Sequence, residues 1–145
     1  MVFEEIFDND SLYSSIYMAF LHDDELVNQY HIVNGDIEKC VKDTYNKILI
    51  ESKSSELRWY SVNDDNDSLM GFLVVSLSYG VLYSFGLNIN YRKEHAKEFF
   101  NKIKELLNNN FGCGLWTKNT RTIKYLIRNG MQIVRKERDI TILKY

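Results

Sequence analysis

The chain has 145 residues, 45% hydrophobic and 14% aromatic, which suits one packed domain and excludes a disordered segment. No apolar run approaches the roughly 18 residues of a membrane span; the longest, Met70 to Leu77, is broken by Gly71 and Ser76. The formal charge of −2 hides a division, because residues 1–89 carry 5 Lys/Arg against 15 Asp/Glu and residues 90–145 carry 13 against 5.

Val2 to Phe7 reads as an opening strand. Asp10 is placed to cap a helix that starts at Ser11, with Leu12, Ile16, Ala19 and Phe20 at helical spacing. Asn34-Gly35-Asp36 reads as a turn and cap before a second amphipathic helix, whose inner side holds Ile37, Val41, Thr44, Ile48 and Leu49. Glu51 to Glu56 is polar and reads as a connector. Three strands follow: Leu57–Val62, Leu69–Ser78 and Val81–Asn88. The acidic run Asp64-Asp65-Asn66-Asp67 and the Tyr79-Gly80 turn between them are short, which implies antiparallel hairpins.

A long helix begins near Tyr91, with Ala96, Phe99, Phe100, Ile103, Leu106 and Leu107 as its apolar stripe, and Asn108-Asn109-Asn110 ends it. Gly112 to Thr117 is the next strand. The helix before it gives room for a crossover, so this strand can run parallel to Val81–Asn88, and the two are expected to splay apart. Asn119 caps a short helix with Ile123, Leu126 and Ile127 inward, and Gly130 closes it. Met131–Arg135 and Ile140–Lys144 make a final hairpin. The order is β-α-α-β-β-β-α-β-α-β-β in one domain, 1–145, without repeats or linkers.

Cys40 and Cys113 lie far apart and read as two free, buried thiols, a disulfide being the alternative. The three histidines, His22, His31 and His95, are scattered, so no metal site is expected. The acidic start Met-Val-Phe-Glu-Glu lacks the basic opening of a secretory signal, and the expected location is cytoplasmic. No membrane partner is expected. Arg121, Lys124 and Arg128 fall on successive turns of the short helix and form a basic ridge. In a net acidic chain, nucleic acid is the least favoured partner for it.

The order of elements resembles the GNAT superfamily of N-acetyltransferases from end to end. Two stretches carry the likeness: Phe85 to Ala96, similar to the strand and helix start that hold an acyl-CoA pyrophosphate, and Leu115 to Met131, similar to the family's strand, Asn-initiated helix and glycine turn. The resemblance implies an α/β (α+β) fold with a mixed central sheet of six to seven strands flanked by about four helices. In the family, pantetheine enters between two splayed strands and the pyrophosphate sits on the helix N-terminus, where free N–H groups and the dipole favour anions. Carried onto this chain, the coenzyme positions are Asn88, Ile89, Arg92, Lys93, Ala96, Lys97 and Asn119, and they describe a vestigial or weak acyl-CoA site.

The sequence departs from the family in two places. The family motif runs from Arg or Gln through two small residues; starting it at Arg92 puts His95 and Lys97 at the small positions, where they are expected to crowd the cradle and weaken acetyl-CoA binding. The proton-donating tyrosine of the family's short helix is replaced by Leu126, with Tyr125 one residue away, about 100° around the helix. Val81–Asn88 also supplies no acidic or histidine base. No catalytic residue is therefore assigned.

A narrower resemblance is to small GNAT-like virion and assembly proteins of short-tailed bacteriophages. It rests on Asn119-Thr120, Tyr125-Leu126, Gly130, Ala96-Lys97 and Phe99. It implies a catalytically degenerate protein without a cofactor, found in host cytoplasm or virion, that works through protein partners: phage structural proteins, or itself in a ring. The other reading is an active N-acetyltransferase using acetyl-CoA on an unknown amine.

Overall fold

The computed structural model describes residues 1–30 and 36–145, and the side chains of all of these but 28–30. The expected turn at Asn34-Gly35 and His31 lie outside the described residues. In chain order the elements are β1 (Val2–Ile6), α1 (Asn9–Phe20), α2 (Asp24–Tyr30), α3 (Ile37–Ser54), β2 (Arg58–Asn63), β3 (Leu69–Ser76), β4 (Val81–Leu87), α4 (Ile89–Leu106), β5 (Gly112–Trp116), α5 (Thr120–Arg128), β6 (Gln132–Glu137) and β7 (Ile140–Lys144). The strands form one sheet of seven in the order β1-β2-β3-β4-β5-β7-β6, antiparallel throughout except between β4 and β5.

Both faces of the sheet are covered, and β3 shows how. Phe72 and Val74 join the core under α1 and α3, whereas Leu73 and Val75 join the core under α4 and α5. A strand buried on both faces loses the polar alternation of an exposed one, which is why Met70 to Val75 reads as a nearly unbroken apolar run. α1 approaches β4 closely because Gly86 has no side chain: a Cβ there would lie 2.9 Å from the Ala19 Cβ. Cys40 and Cys113 are free and buried, and burial pushes their thiols up to about 11 and about 12.

Several boundaries differ from the sequence reading, each for a local reason. Asp8, not Asp10, caps α1, its carboxylate accepting from Ser11 N–H at 2.9 Å. α3 runs through the expected connector to Ser54; the polar residues there belong to the last turns of a helix, and Ser52 accepts from the Trp59 indole at 3.1 Å. Asn88 is not the end of β4 but the N-cap of α4, which begins at Ile89. Among the described residues α2 brings the helices to five. It is too short for a periodic stripe and is fixed by tertiary contacts instead.

The strongest of those contacts is Asp23. His22 adopts φ 66°, the tight corner between α1 and α2, and sets Asp23 just ahead of α2. The Asp23 side chain has no exposed surface. It accepts from Leu26 N–H at 3.1 Å, from Arg92 at 2.6 Å and from Arg121 at 2.8 Å. One carboxylate thus joins α2 to both α4 and α5. Burial pushes its carboxyl up, but Arg92 above all, then Leu26 N–H and Arg121, outweigh it and hold it below the ordinary carboxylate range.

A depressed pKa contributes stability that is complete above the unfolded value, near pH 4, and is lost as pH falls through the folded value. Asp23→Asn is therefore expected to cost about 2–3 kcal/mol at pH 7, the range for hydrogen bonds to a buried charge. In urea titrations the gap to the parent chain should narrow as pH falls below the ordinary carboxylate range and through the lowered pKa of Asp23; a gap independent of pH would show that the ion pairs contribute nothing.

Candidate functional site

β4 and β5 share one ladder pair, Val81 with Gly112, reinforced by Gly112 N–H to the Gly80 carbonyl at 2.8 Å. Beyond that point the strands diverge. Each is paired on its other side, β4 with β3 from Val81 to Leu87 with a bulge at Tyr83, and β5 with β7 from Gly112 to Trp116. Their facing backbone edges are left open, and a cavity of about 480 Å³ passes through the sheet between them.

On the α4–α5 side the cavity is walled by Phe85, Phe99, Ala96 and Tyr125, with Arg92, Arg121 and Arg128 among its cations. On the α1–α3 side it is walled by Phe20, Phe72, Tyr83 and Trp116, with Thr44 and Lys47 as polar groups. Among the described lining residues there is no carboxylate and no histidine. Arg92 and Arg121 are held by Asp23, and Arg121 also by Glu25 at 3.1 Å. Among the described residues, Arg128 and Lys47 have no carboxylate partner.

The seven coenzyme positions read from the sequence separate into two groups. Arg92, Ala96 and Asn119 line the cavity; Asn88, Ile89, Lys93 and Lys97 do not. Asn88 is buried as a structural cap. Its Oδ1 accepts from Asn90 N–H at 2.9 Å, and its Nδ2 donates to the carbonyls of Met18 at 2.8 Å and Leu21 at 3.1 Å. Arg92 turns back, its Nε donating to the Leu87 carbonyl at 2.8 Å. Lys93 and Lys97 are exposed on a neighbouring face of α4. His95 also lies away from the cavity, 3.4 Å from Glu98 and beside Tyr91. The first turn of α4 is thus filled by Asn88 and Arg92, not by His95 and Lys97.

Asn119 departs from expectation in an informative way. It precedes α5, yet makes no side-chain cap hydrogen bond. It is 6% exposed and lines the cavity, and its Oδ1 has no hydrogen-bond partner. A buried acceptor left unpaired costs about 1–3 kcal/mol, so this atom is a place where a donor from a bound molecule would be stabilising.

The side chains of α5 explain the missing proton donor. Leu126 is fully buried in the core. Tyr125 does reach the cavity wall, but its hydroxyl donates to the Ala96 carbonyl at 2.6 Å and burial raises its pKa well above the usual phenol value. Lys47, Thr44 and Trp116 were not singled out from the sequence as site residues. Thr44 and Ile48, one turn apart on the inner side of α3, were the available signal, since Thr44 is a polar residue on an apolar stripe. Of the basic ridge on α5, Arg121 is tied to Asp23, and Lys124 lies off the cavity.

No protein-family model and no curated protein matches the chain by sequence. Solved structures do match it by shape. PaiA N-acetyltransferase from Thermoplasma acidophilum in complex with coenzyme A superposes with a TM-score of 0.68 at 12% identity, over 99% of this chain and 98% of that one. The Campylobacter jejuni N-acetyltransferase PseH in complex with acetyl coenzyme A gives 0.56 at 13% identity, over 99% and 96%. Spermidine N-acetyltransferase from Vibrio cholerae in complex with CoA and spermine gives 0.56 at 11% identity, over 99% and 92%. None of these three is a bacteriophage component, so the narrower likeness has no counterpart among them. The seven-stranded mixed sheet with its splayed parallel pair is the GNAT-like fold that these acetyltransferases share.

Proposed function

We propose that the protein binds an acyl-CoA, acetyl-CoA in the simplest case, in the gap between β4 and β5 and transfers its acyl group to an amine. The observation that carries this reading is the pairing of an open β4 edge with the buried, unpartnered Asn119 Oδ1 on the opposite wall. A pantetheine arm bears amide donors and acceptors at separated positions, and such a site suits it. When bound, the thioester supplies an acyl carbon activated toward an amine nitrogen.

The residues of this chain would hold it unevenly. The backbone of β4 offers strand-like pairing, Asn119 accepts an N–H, and Arg128 offers a free cation to a phosphate. At the start of α4, Asn90 N–H is taken by the Asn88 side chain and Tyr91 N–H by the Asn88 carbonyl at 2.9 Å. The phosphate contact therefore falls on side chains more than on the helix N-terminus. With no carboxylate or imidazole in the described lining, the incoming amine loses its proton to water. Lys47 assists, since a neighbouring cation disfavours an ammonium.

Calorimetry is expected to give an acetyl-CoA Kd on the order of 10–100 μM. Asn119→Ala should weaken it about 5–10-fold, the worth of one hydrogen bond, and no heat at millimolar coenzyme would sink the reading. The rate should rise about tenfold per pH unit up to the pKa of the amine itself; a plateau setting in near pH 6–7 would reveal a protein base.

A second reading, assembly into a ring or a bacteriophage particle, is favoured by one observation. β6 is exposed at every position, ends the sheet, and leaves Ile133 and Val134 42% and 60% exposed. An uncovered strand edge is a template for pairing with another chain. Sedimentation velocity should then show oligomers that Val134→Lys disperses; a monomer at every concentration and salt level would end this reading.

A further inference from the structure

We propose that the acceptor is an amine carried by an anionic molecule, one bearing a carboxylate or phosphate on an apolar body, and not a polyamine. This rests on the coenzyme reading above and assigns the α1–α3 half of the same cavity to the acceptor.

The argument starts from charge. The described lining of that half holds one ionic group, the Lys47 ammonium, and no carboxylate. Lys47 lies 4.8 Å from the centroid of the Trp116 ring, and a second ammonium, Lys118, lies 4.7 Å from it. The indole face partly compensates the Lys47 cation without bringing a negative charge into the described lining. The acids one turn to either side on α3, Asp43 and Glu51, are both outside the described lining, and Glu51 accepts from the Ser55 hydroxyl at 2.8 Å. Burial first, and Glu51 second, raise the pKa of Tyr83, so its hydroxyl stays a neutral donor at the wall.

A polyamine brings several positive charges, and each needs an anion or a ring of acceptors to replace its hydration. Here the one ionic group of the described lining is itself an ammonium, Lys47, which repels a polycation and attracts an acid. The same field disfavours the protonated form of the reacting amine. Phe20, Phe72 and Trp116 give the rest of the wall an aromatic character suited to an apolar body. A molecule with an amine at one end and an acid near it satisfies all three conditions; spermidine satisfies none.

The test compares acceptors on the full chain with acetyl-CoA, following product by mass spectrometry. The arms are phenylalanine for the carboxylate, phosphoethanolamine for the phosphate, 2-phenylethylamine without an anion, and spermidine. One of the two anionic amines is expected to exceed both 2-phenylethylamine and spermidine at least tenfold in kcat/KM. Lys47→Glu should remove about tenfold of that advantage and raise spermidine turnover, and Lys47→Gln should fall between. Spermidine turned over best, or a preference unmoved by Lys47→Glu, would overturn the proposal. Loss of the coenzyme reading would appear separately, as no acetyl-CoA heat in calorimetry. In that case N-acetylphenylalanine and N-acetylspermidine are titrated directly, and tighter binding of the latter or of neither overturns the proposal as well.

Discussion

The rest of the molecule depends on two strands that stop pairing after one residue. β4 and β5 meet at Val81 and Gly112 and then part, while each keeps its pairing on the other edge, β4 against β3 and β5 against β7. Backbone N–H and C=O groups buried without partners are costly, so an open seam inside a sheet persists only where solvent or a ligand can reach it. The cavity through the sheet is the form that this access takes. Its ends differ because the helices above and below differ. α4 and α5 present arginines and an unpaired amide oxygen, and α1 and α3 present aromatic rings and one lysine.

Asp23 ties together the two helices that flank that seam. α4 follows β4, and α5 follows β5, so the two helices would separate with their strands if nothing joined them. A buried carboxylate bonded to Arg92 of α4 and Arg121 of α5 is such a join, and it comes from the corner between α1 and α2 on the other side of the gap. The same join has a consequence for binding. Arg92 occupies the position where the family resemblance placed a phosphate contact, and here its guanidinium already holds Asp23 and the Leu87 carbonyl. The energy a phosphate would gain there has been committed to tertiary structure, which leaves Arg128 as the arginine of the described lining without a carboxylate partner.

The order of strands and helices was legible in the sequence because it depends on local signals. Gly80 and the asparagines at 108 and 109 adopt positive φ where turns were expected, and apolar stripes marked α1, α3, α4 and α5. The parallel pair followed from the length of α4 and needed no coordinates. What could not be read was anything that depends on a partner distant in sequence. α2 has two apolar positions and no stripe, and is held by an ion pair to Arg121, 98 residues away. Asn88 looked like a strand end, but its Oδ1 caps Asn90 N–H while its Nδ2 is anchored on the carbonyls of Met18 and Leu21, distant in sequence. Of the six candidate coenzyme residues on α4 and its cap, Arg92 and Ala96 on the cavity wall are separated from Asn88, Ile89, Lys93 and Lys97 by the rotation of α4. That rotation is fixed by Phe99, Phe100 and Ile103 packing in the core.

The division of charge along the chain acquires meaning from the same seam. Residues 1–89 build β1 to β4 with α1 to α3, and residues 90–145 build the remaining strands with α4 and α5, so the boundary between acidic and basic sequence is close to the boundary between β4 and β5. α4 blurs it by packing Phe99, Phe100 and Ile103 against Leu73, Val75 and Leu82 of the acidic half. The cavity nevertheless lies where the two halves meet, and its described lining takes cations from both: Lys47 from the first, Arg92, Arg121 and Arg128 from the second. Carboxylates are plentiful in the first half and absent from that described lining; Asp23 and Glu25, which approach it, are spent on Arg92 and Arg121. A gap between low-dielectric walls with cations at both ends concentrates positive potential along its length. Whatever threads it should carry negative charge at its extremities and little at its middle, which is the charge distribution of an acyl-CoA meeting an acidic amine.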